Sequence, residues 1–177
     1  MSVYSTFKRM ESWELALCEL CNRVCRLRLI KRFFVIISRM GDGVFWYMLM
    51  ILLPWWYGGS ALQATLHMFF VGMAGLALYK YLKSHLVRQR PYIQHGGISL
   101  GTAPLDLYSF PSGHTLHAVA FSIVALFYYP HLAWLLVPFT GLVALSRGIL
   151  GLHYPTDVVA GALIGALLAH GSFLILP

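Results

Sequence analysis

Three long stretches of this sequence contain no aspartate, glutamate, lysine or arginine, and they constrain the fold more than any other feature. They cover residues 43–79, 107–146 and 158–177, which are 37, 40 and 20 residues long. A helix needs about 20 predominantly apolar residues to cross a bilayer. The stretches therefore predict two crossings, two crossings and one crossing. This pattern indicates an all-α, multi-pass transmembrane helix bundle of about five spans.

Turn residues beside aromatic side chains divide the two longer stretches. The Trp-Trp-Tyr sequence at 55–57 precedes Gly-Gly-Ser at 58–60, and Tyr128 and Tyr129 precede Pro130. Tryptophan and tyrosine favour the membrane–water interface, and glycine and proline mark turns. The predicted spans lie near residues 43–58, 61–82, 112–129, 132–148 and 157–176.

The composition excludes an ordinary soluble domain. The chain is 59% hydrophobic and 11% charged, with a mean hydropathy of +0.70, whereas soluble domains carry about 25% charged residues. Eight of the thirteen basic residues lie between Lys8 and Arg39, so the net charge of +7 is mostly an N-terminal property. In a membrane protein this distribution indicates contact with anionic lipid headgroups rather than nucleic acid.

The N-terminal segment differs from the rest of the chain because it interleaves apolar and charged residues. Between residues 11 and 32 the apolar side chains recur at helical spacing, namely Trp13, Leu17, Leu20, Val24 and Leu27. This pattern predicts an interfacial amphipathic helix that lies on the membrane. We therefore divide the chain into a basic amphipathic segment, residues 1–42, and a transmembrane domain, residues 43–177.

Five crossings sort the charges by membrane face. The hairpins near 58–60 and 130–131 and the C-terminus then share one face and carry no formal charge. All charged residues fall at the opposite face or in the helix ends beside it. The positive-inside rule places that charged face in the cytoplasm, which predicts a cell-membrane protein with a cytoplasm-facing site.

Three clusters of polar residues lie at the charged face. They are distant in sequence, and the five predicted crossings bring them to the same side of the membrane. One follows the second span, one begins the third, and one joins the fourth to the fifth. In chain order their candidate site residues are Lys83, Arg90, Ser112, Gly113, His114, Arg147, His153 and Asp157.

The chemistry of five of these residues suits a phosphate group. Lys83, Arg90 and Arg147 supply cationic donors, and arginine can grip two phosphate oxygens in a fork. Ser112 and Gly113 stand at a helix start, where free backbone N–H groups and the positive end of the helix dipole attract anions.

The remaining three residues can transfer protons or attack phosphorus. His114 and His153 have near-neutral intrinsic pKa values, and either could be nucleophile or acid. Asp157, four residues after His153, can accept from one imidazole nitrogen and leave the other free. Magnesium sites require carboxylate ligands, and Asp106 is the one acid left without another interpretation. The sequence therefore predicts neither a metal nor another cofactor.

The three clusters resemble a family signature. The spaced motifs are Lys83-x6-Arg90-Pro91, Pro111-Ser112-Gly113-His114 and Ser146-Arg147-x5-His153-x3-Asp157. They resemble, without a substitution and in order, the signature of the PAP2 (type 2 phosphatidic acid phosphatase) superfamily.

This resemblance implies a metal-independent phosphatase with defined residue roles. His153 would attack phosphorus to form a phosphohistidine, Asp157 would orient His153, and His114 would protonate the leaving oxygen. The oxygens of the phosphate would be held by Lys83, Arg90, Ser112, Gly113 and Arg147.

The predicted substrate is a lipid phosphomonoester or diphosphate, either a polyisoprenyl diphosphate or a glycerolipid such as phosphatidate or phosphatidylglycerophosphate. One alternative is a membrane phosphotransferase that passes the phosphate to a lipid or sugar acceptor. Another is a non-catalytic lipid-binding membrane protein. The sequence leaves the oligomeric state open.

Several further residues receive structural interpretations. Lys80 and Arg88 are interpreted as interfacial side chains that reach toward water. The loop at 92–108 is predicted to be a mobile cover that gates headgroup access. Close contacts between helices are predicted at four glycines, Gly72, Gly75, Gly161 and Gly165.

Overall fold

The computed structural model describes the backbone of residues 3–175 and the side chains of residues 12–175. Within residues 3–175 the chain is helical and forms no strand, which confirms the predicted all-α class. Residues 1, 2, 176 and 177 lie outside the described residues. The first two belong to the predicted segment 1–42 and the last two to the predicted domain 43–177, whose fifth predicted span reaches residue 176.

The described chain forms a bundle of α-helices joined by short turns. The helices are α1 (Val3–Asn22), α2 (Arg28–Arg39), α3 (Phe45–Tyr57), α4 (Leu62–His85), α5 (Pro91–Gln94), α6 (Gly113–Tyr128), α7 (Ala133–Ile149) and α8 (Pro155–Ser172). Three 3₁₀ turns, Arg23–Arg26, Gly58–Ala61 and Pro130–Leu132, and a π-helical turn, Met40–Val44, connect some of them.

The N-terminal region is more divided than the sequence predicts. The amphipathic helix expected over residues 11–32 ends at Asn22, and Leu27 is extended before α2 begins. Between α2 and α3 the chain kinks at Gly43, whose φ of 139° is not helical. The predicted segment boundary at residue 42 lies next to this kink and stays a prediction.

One face of α1 is joined to the bundle by buried polar side chains. Asn22 of α1 donates from Nδ2 to the carbonyl oxygens of Ser99 and Ile149, each over 2.9 Å. Its Oδ1 accepts from the Ser99 backbone N–H over 2.8 Å. Glu14 and Cys18, which precede Asn22 at intervals of four residues, are buried on the same face. Placement of the 1–42 segment on the membrane surface stays a prediction.

Two helical stretches in the described residues are long and apolar enough to cross a bilayer by length and composition. They are Arg28–His85, which includes α2 to α4, and Pro130–Ile149, while Gly113–Tyr128 is a shorter apolar helix. Trp56 and Trp134 are 73% and 75% exposed, as expected for side chains that face lipid. The count of five spans stays a prediction.

The two predicted hairpins lie at the same end of the bundle. The Tyr57 ring stacks on Tyr129, with ring centroids 4.5 Å apart. The Tyr57 hydroxyl forms a hydrogen bond with Nε2 of His131 over 2.6 Å. These contacts agree with the predicted order of crossings, which places both hairpins at one membrane face.

Close packing of α6 on α8 positions the two ends that carry site residues. A Cβ added at Gly161 would lie 2.5 Å from the Ser112 carbonyl oxygen, and one at Gly165 would overlap the Leu116 carbonyl oxygen. Glycine is therefore required at both positions of α8. The contact also sets the Ser112 backbone N–H 3.0 Å from the Asp157 carbonyl oxygen.

We expect Gly165→Ala to lower the midpoint of thermal unfolding in detergent by several degrees. The added methyl group must separate α8 from α6, and overpacking of this kind typically costs ~1–3 kcal/mol. The matched control is Gly141→Ala in α7, where a Cβ would meet no atom within 4 Å. Equal midpoints for the two variants would contradict the close contact.

Candidate active site

The structure brings the eight predicted site residues to one end of the bundle. Lys83 lies in the last turn of α4, Ser112 caps α6, Arg147 lies in the last turn of α7, and Asp157 lies in the first turn of α8. Side chains with formal charges are buried there, with exposures of 7% for Lys83, 2% for Arg147 and 0% for Asp157. Buried charges are stable only when they are paired or hydrogen-bonded. We therefore expect these side chains to be connected by hydrogen bonds and ion pairs.

His153 lies between the basic residues and Asp157. Its Nε2 is 3.4 Å from Nη1 of Arg90, and its Nδ1 is 3.6 Å from Oδ2 of Asp157. The second distance is longer than a hydrogen bond, and Nδ1 has no hydrogen-bond partner within the described part of the chain. The ring is therefore oriented with Nδ1 toward the carboxylate and Nε2 toward the cations.

The surroundings of His153 hold the imidazole neutral. Burial lowers its pKa well below the usual value, and the positive charges of Arg147, Arg90 and Lys83 lower it further. A neutral imidazole has a free lone pair on one ring nitrogen. The side chain therefore has the protonation state that a nucleophile needs at neutral pH.

The Asp157 carboxylate is fixed by several donors. Oδ1 accepts from Nη1 of Arg88 over 2.7 Å, and Oδ2 accepts from the Tyr154 backbone N–H over 2.8 Å. Oδ2 also accepts from the hydroxyl of Ser109. These bonds keep an ionised carboxylate in place beside His153 although Asp157 is fully buried.

The interpretation of Arg88 as an interfacial side chain is wrong. Its guanidinium donates from Nη1 to Asp157 and from Nη2 to Glu14 of α1, the second over 2.6 Å, and it lies 3.9 Å from the centre of the Tyr154 ring. Glu14 also accepts from the Thr156 backbone N–H over 3.0 Å. The sequence gives only a weak indication of the Arg88–Glu14 ion pair. Glu14, Cys18 and Asn22 recur every four residues in α1, which places them on one face of the helix.

Asp106, left without a role by the sequence, organises two of the cations. Lys83 donates from Nζ to Oδ1 of Asp106, and over 2.6 Å to the Tyr108 carbonyl oxygen. Arg90 donates from Nη2 to the same Oδ1 over 2.8 Å, and from Nη1 to the Leu152 carbonyl oxygen over 2.8 Å. The loop that carries Asp106 is thus attached to the site by ion pairs.

The same contacts keep Asp106 ionised. Burial raises the pKa of its carboxyl, but hydrogen bonds from Lys83 and Tyr79 and the charges of Lys83 and Arg90 outweigh burial and lower the pKa to about 2. At neutral pH three cations, Lys83, Arg90 and Arg147, therefore face one carboxylate. The remaining charge of about +2 suits a phosphate dianion.

Arg147 contributes buried donors from α7. Its Nη1 donates to the hydroxyl of Ser38 in α2, and its Nε has no hydrogen-bond partner among residues 12–175. Its backbone carbonyl accepts from the backbone N–H of His153 over 3.1 Å. Arg147 is thus fixed beside His153 and retains a donor for an anion.

The start of α6 supplies backbone donors. Ser112 is the N-cap, and its hydroxyl oxygen accepts from the Thr115 backbone N–H over 3.5 Å. A Cβ at Gly113 would lie 2.6 Å from the Tyr79 ring, so glycine lets the helix start approach α4. The first N–H groups of a helix have no acceptor within the helix and attract anions.

His114 contacts a carboxylate that the sequence reasoning missed. Its Nε2 forms a hydrogen bond with Oδ1 of Asp42 in the π-helical turn. The other oxygen of Asp42 accepts from Nη1 of Arg39 over 3.2 Å. Asp42 lies 72 residues from His114 in sequence, and no motif connects the two.

A mostly apolar cavity of about 210 Å³ adjoins His114 between α3, α4 and α6. Trp46, Phe69, Met73 and Phe121 line it, and His114 and Asp42 lie at its polar end. Phe69 and Met73 are 50% and 52% exposed on the outer surface of the bundle. The cavity can therefore accept the apolar part of a molecule whose phosphate reaches the cations.

No group of three or more histidine, cysteine, aspartate or glutamate side chains that could hold a metal ion occurs in the described part of the chain. The donors around His153 are guanidinium, ammonium and N–H groups, which bind anions and not metal cations. The arrangement therefore fits phosphate binding.

Comparison with known proteins decides the family. The model of the PAP2 superfamily matches residues 63–177. The undecaprenyl-diphosphatase BcrC of Bacillus subtilis is 36% identical over 138 residues, which cover 74% of this chain and 70% of the relative. The chain belongs to the PAP2 superfamily. The match includes all three motifs and thereby confirms the resemblance.

Other PAP2 relatives agree in fold and in class of enzyme. Phosphatidylglycerophosphatase B of Bacillus subtilis is 34% identical over 105 residues, which cover 51% of this chain and 47% of the relative. The crystal structure of Aquifex aeolicus LpxE superposes with a TM-score of 0.77 at 28% identity, over 90% of this chain and 94% of that chain. A PAP2 type phosphatidylglycerolphosphate phosphatase from Bacillus subtilis has a TM-score of 0.68 at 22% identity, over 94% and 86% of the two chains, and shares the fold. The predicted class, a membrane lipid phosphatase, is confirmed.

We expect Arg88→Gln to lower kcat by about tenfold or more. The substitution removes a charge-assisted hydrogen bond from Asp157, and such bonds are typically worth ~1.5–3 kcal/mol. The measurement is phosphate release by the purified protein in detergent.

Lys80→Gln, at an exposed position of α4, is the matched control and should leave kcat unchanged. If Arg88→Gln and Lys80→Gln behave alike, Arg88 does not support the site.

Proposed function

We propose that this chain removes the terminal phosphate from a polyisoprenyl diphosphate in the membrane through a phosphohistidine on His153. The observation that carries the proposal is the position of that ring. Its Nε2 lies 3.4 Å from Arg90 on the side of the cations, and its Nδ1 faces the buried Asp157.

Two observations favour the diphosphate over a glycerolipid. A relative that matches 138 residues of this chain is an undecaprenyl-diphosphatase. The cavity beside His114 is lined by aromatic and methionine side chains, including Trp46, Phe69 and Met73, which suit a hydrocarbon chain. Phosphatidylglycerophosphate is the second candidate, because phosphatidylglycerophosphatase B also matches the chain.

In the first step of the proposed reaction, Nε2 of His153 attacks the terminal phosphorus. Lys83, Arg90 and Arg147 neutralise the phosphate oxygens, with backbone N–H groups of Ser112 and Gly113 at the helix start. His114 donates a proton to the bridging oxygen as the P–O bond breaks. Asp157 stabilises the positive charge that develops on His153.

In the second step, water attacks the phosphohistidine. His114, now neutral, accepts a proton from the water as the new P–O bond forms, and the P–N bond electrons return to His153. Phosphate then leaves the cations. Transfer to a lipid or sugar acceptor in place of water is the competing outcome, and the products distinguish the two.

The basic N-terminal segment supports a role at the membrane surface. Arg28, Lys31 and Arg32 flank a shallow apolar groove formed with Val35 and Ile36 on α2. Cations beside exposed apolar side chains suit anionic headgroups and the upper part of the acyl chains. This surface lies on α2, the helix whose Ser38 hydroxyl accepts a hydrogen bond from Arg147.

The substrate is tested by phosphate release from purified polyisoprenyl diphosphate, phosphatidylglycerophosphate and phosphatidate in matched micelles. We expect the highest kcat/KM with the diphosphate. A higher kcat/KM with either glycerolipid would overturn the assignment. A product formed only when a lipid or sugar acceptor is added would instead identify a phosphotransferase.

His153→Ala tests the mechanism separately from the substrate. It should abolish turnover and the base-stable radiolabelled phosphoenzyme that can be trapped from the unmodified protein. His114→Ala should retain the label. A His153→Ala protein with near-normal kcat would contradict the phosphohistidine.

The cytoplasm-facing site is tested by labelling with an impermeant thiol reagent. In a variant without the native cysteines, Leu100→Cys reports the site face and Ser60→Cys reports the hairpin face, and both native side chains are exposed. We expect intact cells to label residue 60 and not residue 100, because the positive-inside rule places the basic end in the cytoplasm. The reverse pattern would place the site on the outer face.

A further inference from the structure

His114 belongs to the second motif, but its partner Asp42 lies outside the three motifs and outside residues 63–177, which match the family model. The carboxylate belongs to the π-helical turn Met40–Val44, and its side chain is 20% exposed. Asp42 directly precedes the first predicted span, and the side chain of its partner His114 is 10% exposed.

The backbone of this turn is shaped to deliver Asp42. Gly43 has a φ of 139°, a conformation that other residues rarely adopt. A Cβ at Gly41 would lie 3.2 Å from Val143 and 3.7 Å from the His114 ring. Glycine on both sides of Asp42 thus lets the turn approach α6 and α7 closely enough for the carboxylate to reach the imidazole.

We propose that Asp42 is a positioning residue that orients His114 for proton transfer, an inference that rests on the proposed function. Because Asp42 holds Nε2, Nδ1 is the nitrogen left to face the leaving oxygen. The carboxylate also stabilises the protonated form of the ring, as the aspartate of a Ser-His-Asp triad does. The site then contains two His–Asp pairs, His153 with Asp157 and His114 with Asp42.

The proton balance of this arrangement closes over one turnover. In the first step Nδ1–H of the protonated His114 gives its proton to the bridging oxygen, the P–O bond breaks, and the bond from phosphorus to Nε2 of His153 forms. In the second step Nδ1 of His114 takes a proton from the attacking water, and the P–N bond breaks. Asp42 stays ionised and keeps its bond to Nε2–H throughout.

The test uses a series of aryl phosphates from 4-nitrophenyl phosphate to phenyl phosphate. A good leaving group departs without a proton, whereas a poor one needs the acid. We expect Asp42→Asn to lower kcat/KM by about tenfold or more with phenyl phosphate and by much less with 4-nitrophenyl phosphate, since general acid catalysis contributes ~10²–10⁴-fold. A merely structural role would lower both equally.

Two controls separate the possible failures. Arg39→Gln removes the other partner of Asp42 at an exposed position and should have no effect that depends on the leaving group. In a His114→Ala background, Asp42→Asn should cause no further loss. If His114→Ala shows no dependence on the leaving group, the proposed function of His114 fails. If His114→Ala shows it and Asp42→Asn does not, the role of Asp42 alone is wrong.

Discussion

A fully buried carboxylate at the contact of α6 and α8 is the constraint on which the site depends. Asp157 is 0% exposed, and an ion in that position is stable only if it is surrounded by donors. Arg88, Ser109 and the Tyr154 backbone supply them. These donors come from two loops and the start of α8. Because Tyr154 directly follows His153, the hydrogen bonds that stabilise the Asp157 carboxylate also fix the position of His153.

The buried cations of the site also depend on a neighbouring group of opposite charge. Asp106 neutralises part of the charge of Lys83 and Arg90, and Arg147 lies buried with one donor unpaired among the described residues. The ion pairs make it possible to bury three positive groups close together. Their fixed positions mean that little reorganisation is needed when phosphate charge shifts during the reaction.

The sequence predicted those features that depend on local pattern. Charge-free stretches predicted an all-α membrane protein, and motif spacing predicted eight residues that the structure places at one end of the bundle. Asp42, Glu14 and Arg88 were missed because their partners are distant in sequence and a charged residue near a helix end has an ordinary interfacial explanation. The break at Leu27 was missed because no glycine or proline marks it.

Residues 63–177, which match the family model, do not contain the whole frame of the site. Arg88 divides its guanidinium between Asp157 and Glu14, and Glu14 lies in the first helix of the chain. A chimera that joined this hydrolase unit to a foreign membrane anchor would therefore lose half of the counter-charge on Arg88. Transplanting the activity requires the native N-terminal helix to be carried along with the signature motifs.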